Sequence, residues 1–240
     1  MSVGGGMMQL TVRDVARLLQ VSEKTVYRWI TQGKLPAYRL NEQFRFNRAE
    51  LLEWATSNRV QVAAELFSEP EASGAPQPGL ETALRAGGIH YRLGGADKAA
   101  VLATMVEVMP LPREVDRAYL LHVFLARESL ESTGIGDGIA IPHPRAPIVL
   151  HIHDPLICLC FLEHPVDFGA LDGKPVQALF SLISPTARAH LHLLSRVSFG
   201  LRDPEFRELI AQQASRDEIL TAAARLDATV VPRAVSGDTL

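Results

Sequence analysis

His143 stands between two prolines at the end of the run Glu131-Ser-Thr-Gly-Ile-Gly-Asp-Gly-Ile-Ala-Ile-Pro-His-Pro144. Proline drives the preceding residue toward extended backbone, so Pro144 fixes His143 at the end of the short apolar segment Ile139–Ile141 and gives its ring one direction. A neutral imidazole near pH 7 carries one nitrogen lone pair, which suits an exposed, constrained histidine to nucleophilic chemistry. A histidine beside prolines also serves as a plain turn residue, and its type alone does not separate the two. Gly134, Gly136 and Gly138 alternate ahead of it. That spacing is neither the GxGxxG of a dinucleotide fold nor the GxxxxGK(S/T) of a phosphate-binding loop, so ATP and NAD are unsupported and no cofactor is expected.

Other residues able to hold a metal or do redox chemistry are sparse. His151 and His153 alternate ahead of Asp154, and His190 and His192 repeat that spacing on a helical stretch, where they diverge. Neither gives a recognisable zinc ligand set, so no metal is expected. His90, His122 and His164 have no argued role. The two cysteines, Cys158 and Cys160, alternate on one apolar run and read as core residues of a reduced compartment.

The elements that must position His143 alternate between helix and strand. Leu80–Ala86, Lys98–Met109 and Arg113–Ser132 read as helices, the last with Tyr119, Leu120, Val123, Phe124 and Leu130 at its apolar positions. His90–Leu93, Ile139–Ile141, Leu156–Leu162 and Val176–Ile183 read as strands, the last two almost continuously apolar. Ala187–Leu201, Pro204–Ala214 and Asp217–Leu226 return to helix. Buried strands between amphipathic helices predict an α/β domain whose sheet is covered on both faces.

The string Arg127-Glu-Ser-Leu-Glu-Ser-Thr-Gly-Ile-Gly-Asp-Gly-Ile-Ala-Ile-Pro-His-Pro144 resembles the active-site signature of fructose/mannitol-type enzyme IIA domains of the bacterial phosphoenolpyruvate-dependent phosphotransferase system, including the nitrogen-regulatory IIA branch. The resemblance covers residues 79–226. It implies a mixed-sheet α/β fold in which His143 accepts a phosphoryl group from a histidine of an HPr-like carrier and passes it on. It also implies that Arg127 neutralises the phosphate and that His190 donates a hydrogen bond to its oxygens. Thr133 and the amides of Gly134, Gly136 and Gly138 shape the site more loosely. The plainer roles are a helix-surface salt bridge of Arg127 with Glu128 or Glu131, and an ordinary helix-face position for His190. Many family members follow this histidine with glycine or alanine. Pro144 removes a backbone N–H that could bind phosphate, while Arg145 adds a cation. Phe168–Gly173 resembles the family's turn before the next strand and reads as structural.

A second unit precedes this one. Thr11 and Asp14 have capping-box spacing ahead of a two-turn helix, and Ser22 caps a second helix with Val26, Trp29 and Ile30 on its apolar face and Gly33 at its end. Two short helices joined by a brief turn form a helix-turn-helix, whose second helix would enter a DNA major groove. Ala37–Leu40 and Gln43–Phe46 read as a hairpin wing around Asn41-Glu42, with Arg39 and Arg45 placed to reach phosphates, and Asn47 caps a third helix, Arg48–Ser57. Trp29, Trp54, Phe44 and Phe46 read as core. Residues 8–58 resemble excisionase-like and MerR-like winged-helix DNA-binding domains, which implies base contacts from Ser22, Lys24, Thr25 and Arg28. A single winged helix makes few contacts, so a homodimer reading two half-sites is expected.

Between the two, residues 59–78 include Ser-Glu-Pro-Glu-Ala-Ser-Gly-Ala-Pro-Gln-Pro, the composition of an extended linker, and residues 229–240 read as a tail after the body, 79–228. At 240 residues and 47% apolar content the chain can bury two cores, which excludes a disordered or fibrous protein. No apolar run approaches the ~20 residues of a bilayer span, so no membrane insertion and a cytoplasmic setting are expected. The net charge of −3 divides unevenly. Residues 1–60 hold nine Lys and Arg against five Asp and Glu, a net of +4, while the remaining fifteen against twenty-two give −7. A basic head on an acidic body suggests that the head alone meets a polyanion. The expected protein couples a phosphoryl group on His143 to DNA binding. The alternatives are a carrier donating to a separate IIB, with the head as a protein-docking module, and a catalytically silent sensor.

Overall fold

The computed structural model describes residues 10–40, 43–46, 48–58, 60, 62–63, 77–144 and 154–229. The head opens with α1 (Val12–Leu18), which starts where Thr11 and Asp14 close a reciprocal capping box. The turn after it leads to α2 (Glu23–Thr31), capped by Ser22, whose hydroxyl accepts from the Thr25 N–H. Gly33, with φ +64°, turns the chain out of α2 in the left-handed region that glycine tolerates. β1 (Tyr38–Leu40) and β2 (Gln43–Arg45) pair antiparallel as the wing, and Phe46 bridges back to Leu10. Then follows α3 (Arg48–Ser57). Asn41, Glu42 and the expected cap Asn47 lie outside the described residues. Val15, Val26, Phe46 and Leu51 are fully enclosed, so Phe46 is core, while Trp29 and Trp54, with ring centroids 5.2 Å apart, pack half-buried against it.

The body runs α4 (Leu80–Gly87), β3 (Ile89–Leu93), α5 (Lys98–Val108), α6 (Arg117–Leu130), β4 (Gly134–Gly136), β5 (Ile139–Ala140), β6 (Leu156–Val166), β7 (Val176–Ile183), α7 (Ala187–Gly200), α8 (Pro204–Ala211) and α9 (Arg216–Thr229). Its sheet order is β3-β6-β7-β5-β4, with β3·β6 and β5·β7 parallel and β6·β7 and β4·β5 antiparallel. The sheet is therefore mixed. Alternation along β6 and β7 splits the core into two layers: Ile157, Leu159, Phe161, Phe180 and Leu182 face α4, α7, α8 and α9, while Cys158, Cys160 and Leu179 face α5 and α6. Such continuous apolar strands need helices on both sides. One long-range cap closes this unit. The Asp227 carboxylate on α9 accepts from the N–H groups of Leu80 and Glu81 at 2.8 and 2.9 Å, where residue 79 offers no side chain. A Cβ at Gly79 would sit 2.3 Å from that carboxylate.

Three details differ from the periodicity reading. β6 continues four residues past Leu162 through Pro165, where a register shift between Phe161 and Val166 relieves the missing N–H. The helix expected from Arg113 starts at Arg117 behind the cap Asp116. On that helix Tyr119 and Leu130 are exposed rather than core. The buried stripe runs Leu120, Phe124, Arg127, Glu128, the i, i+4, i+7, i+8 positions of one helix face, so it ends on two charged residues.

Candidate functional site

Both core layers contribute to the site, α6 from one side of the sheet and α7 from the other. β5 delivers the chain to His143: the Ile141 N–H donates to the Thr133 carbonyl at 3.0 Å and the Pro142 carbonyl accepts from the Leu182 N–H at 3.3 Å, which pins both sides of the segment. His143 Nδ1 lies 2.6 Å from the Ile141 carbonyl oxygen. A carbonyl only accepts, so Nδ1 carries the proton and Nε2 the lone pair. His190 belongs to the first turn of α7, begun by the cap Thr186, and its ring lies 5.1 Å from that of His143 at 42°. The exposed imidazole expected from the Pro-His-Pro run is instead buried, with 2% of His143 and 7% of His190 accessible. The whole stretch Ile141–Pro144 is enclosed, and the second ring packs beside the first.

Arg127 occupies the last turn of α6, 7% exposed, and donates through Nη1 to the Glu131 carbonyl at 2.8 Å. Arg127 is therefore not on the helix surface. Glu128, which motif reading left aside, is equally buried and organises the turn into β4. Its carboxylate accepts from the Thr133 N–H at 3.1 Å, from the Thr133 hydroxyl at 2.6 Å and from Lys98 Nζ at 3.1 Å. Lys98 reaches on to the Phe168 carbonyl, which also accepts from Ser132, whose own hydroxyl accepts from the Gly134 N–H. The turn Phe168–Gly173 thus props the site from behind. Burial of a charged pair requires partners of this kind, and the signal for Glu128 was its place on the buried stripe of α6.

Gly134, Gly136 and Gly138 belong to the β4–β5 hairpin, so a further strand precedes the one read at Ile139–Ile141. Gly136, Asp137 and Gly138 have φ values of +88°, +52° and +74°, so the tip needs glycine on either side of Asp137. The Gly134 amide is taken by Ser132 and the Asp137 amide by Asp172, and the Asp137 carboxylate pairs with Lys174 and Arg207. Arg145 lies outside the described residues, as do His151 and His153. Among the described residues no group of three metal-ligating side chains converges. Cys158 and Cys160 sit on β6, Sγ to Sγ 3.6 Å, in the layer facing α5 and α6, and the contact with Cys160 pulls the Cys158 thiol well below its ordinary value.

A family model described as "Phosphoenolpyruvate-dependent sugar phosphotransferase system, EIIA 2" matches residues 83–224. The chain belongs to this family. Within its EIIA domain the relatives include nitrogen regulatory proteins and PTS system fructose-specific components. A nitrogen regulatory protein of Pseudomonas aeruginosa is 38% identical over 133 residues, 54% of this chain and 84% of that protein. The PTS system fructose-specific EIIABC component of Bacillus subtilis is 35% identical over 136 residues, which span 55% of this chain and 21% of that one. The crystal structure of nitrogen regulatory protein IIA-Ntr from Neisseria meningitidis aligns at TM-score 0.49 and 27% identity, over 56% of this chain and 92% of that one.

A model described as "Helix-turn-helix domain" matches residues 10–59, ahead of the EIIA domain. In that head Lys24 and Arg28 are exposed on α2, while Ser22 and Thr25 cap it through a hydroxyl pair at 3.0 Å. Tyr27, 48% exposed, meets Phe44 of the wing edge-on at 6.1 Å. Arg39 lies on β1 opposite Phe44, and Arg45 on β2 donates to Gln43 Oε1 at 2.6 Å and to its neighbour's carbonyl. No helix among the described residues is long and apolar enough to cross a membrane.

Proposed function

We propose that this protein is a phosphoryl-responsive DNA-binding regulator of the phosphoenolpyruvate-dependent phosphotransferase system. In this reading His143 Nε2 attacks the phosphorus of a phosphohistidine on an HPr-like carrier. The donor's P–N bond breaks, a P–Nε2 bond forms, and the donor imidazole leaves with its electron pair. The observation that carries the reading is the 2.6 Å contact of Nδ1 with the Ile141 carbonyl, which directs the lone pair to Nε2 and holds Nδ1–H against an acceptor as the ring gains positive character. A metaphosphate-like transition state spreads charge over its equatorial oxygens, so the work left to the protein is cationic and hydrogen-bonding support, assigned to Arg127 and His190, with Arg145 as a further cation. Thr133, locked by Glu128, sets the hairpin of Gly134, Gly136 and Gly138 beside it.

The head supplies the second half of the reading. Lys24 and Arg28 on the exposed side of α2 engage the major groove together with Ser22 and Thr25, and Arg39 and Arg45 on the wing engage phosphates, in a cytoplasmic homodimer that reads two half-sites. A phosphoryl group adds about −1.5 to −2 charges by analogy with other phosphorylated side chains, enough to bias the arrangement of a two-part molecule.

Incubating the full chain with phosphoenolpyruvate, enzyme I and HPr should label wild type and leave His143→Ala unlabelled. An unlabelled wild type overturns the phosphoryl reading. Affinity for duplex DNA should fall steeply with salt, whereas salt-independent binding, or none, with transfer to a IIB protein would favour the carrier that uses its head for docking.

A further inference from the structure

The head is bolted to the EIIA domain by the same two elements that frame His143. α3 packs on α7 and on β4. At the first contact the Thr56 hydroxyl donates to the Leu52 carbonyl at 2.8 Å, so its 2.7 Å contact with Ser198 must be a bond donated by the Ser198 hydroxyl. Arg202, just past the end of α7, donates to the Val62 carbonyl at 3.2 Å, and the next residue, Ala63, donates its N–H to the Leu18 carbonyl of α1 at 2.7 Å. The chain leaving the head is therefore held by both units. Around these bonds Leu52, Ala55 and Val62 join the apolar layer of Leu201 and Ile139. A cavity of about 400 Å³ interrupts that layer, with Ala55, Thr56 and Val62 on the head side and Ile135, Ser198 and Arg202 on the body side.

Each body element has one end in the phosphoryl site and the other at this seam. α7 is an uninterrupted helix of 14 residues with His190 in its first turn and Ser198 two turns on, about 12 Å along a rigid axis. β4 begins one residue after Thr133, whose carbonyl holds the His143 segment, and its Ile135 and Gly136 line the cavity. His143 and His190 are packed at 5.1 Å in an enclosed space. A phosphoryl group on Nε2 has to displace neighbours, and the charge it brings stands by the first turn of α7, where helix N–H dipoles attract anions. Two of the bonds across the seam, the hydroxyl pair and the guanidinium–carbonyl bond, are of a kind that water can replace, and a cavity interrupts its apolar packing.

We infer that this seam reads out the phosphoryl group. Phosphorylation of His143 shifts α7 and β4, opens the Thr56–Ser198 contact and releases the head from its fixed angle on the body. Unmasking of the recognition helix is not the device, because the α2 residues Lys24, Tyr27 and Arg28 are already exposed with the seam closed. The two positions of a domain pair joined this way need differ little in free energy for one ligand to move the population. The inference rests on His143 being the phosphoryl acceptor, and the test separates the two.

Amide exchange of Glu50–Asn58 in the full chain, before and after phosphorylation through enzyme I and HPr, reads the seam directly. Wild type should exchange at least ten-fold faster there once phosphorylated, while His143→Ala in the same mixture should not change. Oxidised Thr56→Cys/Ser198→Cys should take up label yet stay protected, and reduction of that disulfide should restore the response. On a duplex enriched from a random pool by the unphosphorylated protein, the locked form should show less than a two-fold effect of phosphorylation where wild type shows ten-fold or more. Ser198→Ala gives a second route: it removes the donor without adding bulk and should speed exchange in the unphosphorylated protein. Phosphoryl uptake with unchanged exchange overturns the seam inference and leaves the acceptor role standing; absence of uptake overturns the acceptor role first.

Discussion

The head and the EIIA domain use charged residues in opposite ways. In the head, Lys24 and Arg28 lie exposed on α2, whose first turn is ordered by the near neighbours Ser22 and Thr25, as that of α1 is by Thr11 and Asp14. In the body, Arg127, Glu128, His143 and His190 are each no more than 7% exposed and stand on elements around a sheet whose order, β3-β6-β7-β5-β4, does not follow chain order. A surface that reads a polyanion needs charge in water and long reach, and screening by salt is part of its operation. A site that handles one phosphoryl group needs few charges, excluded water and fixed distances, which only long-range packing gives. The division of +4 and −7 along the chain follows the same line: on the proposed reading, the acidic body attracts phosphate through local cations rather than through its overall field.

The comparison breaks most visibly if the two units cannot be damaged separately. Phe46 is 1% exposed in the small head core, and Phe46→Ala should cost about 3–5 kcal/mol, close to the whole stability of a unit of that size. DNA retention should vanish while labelling of His143 stays within about two-fold of wild type. Calorimetry should show the head transition lost and the body transition kept, its midpoint lowered only by what the seam contributes. Loss of both transitions together would mean that the seam, not the sheet, governs the body.

Much of this was open to reading in the sequence wherever the deciding forces are local. The capping box of α1, the bounds of α3 at Arg48–Ser57 and those of β7 at Val176–Ile183 follow from side chains within a few positions of one another or from an unbroken apolar run. β4 did not announce itself, because two of its three residues are glycines with no strand preference and its extension is imposed by pairing with β5. The burial of His143 was equally hidden: Pro144 sets its backbone, but the ring packed beside it comes from position 190. Glu128 looked like a solvated neighbour of Arg127 until the stripe of α6 turned both inward. The seam had no local signal at all, since Thr56 and Ser198 are 142 positions apart and neither belongs to a motif.

A mid-sized effect sharpens the division inside the site. Arg127 is assigned to the phosphoryl oxygens, yet it also holds the Glu131 carbonyl at the end of α6. Arg127→Ala should slow labelling of His143 by about 100-fold, the loss expected on removing one preorganised donor. Arg127→Lys keeps the charge and loses the planar fork, so it should recover only part of that rate. Equal thermal midpoints for the two variants, with unequal rates, would identify a role in transfer; equal rates with a lowered midpoint would reduce Arg127 to a helix-end support.

The smallest effect belongs to the head and carries a pH signature. Thr11 donates its hydroxyl and its N–H to the Asp14 carboxylate at 2.7 and 3.0 Å, and the Asp14 N–H returns a bond to the Thr11 hydroxyl at 3.2 Å. Chiefly through the hydroxyl bond, this box holds the Asp14 carboxyl below its ordinary value of 3.8. A carboxyl lowered on folding contributes stability that is fully present above the unfolded value and is lost as pH falls through the lower, folded one. Asp14→Asn should therefore cost the head about 1 kcal/mol at neutral pH, a typical figure for a helix cap. The gap from wild type should hold constant down to about pH 5 and close below the ordinary carboxylate value. The body should ignore the substitution at every pH, because the box touches only α1. Denaturant melts of the full chain at neutral pH and near pH 3 check this. A gap that does not close on acidification would mean that the ionised Asp14 carboxylate is not what stabilises α1, and a gap erased by added salt would trace it to Arg13 and Arg17 rather than to the cap.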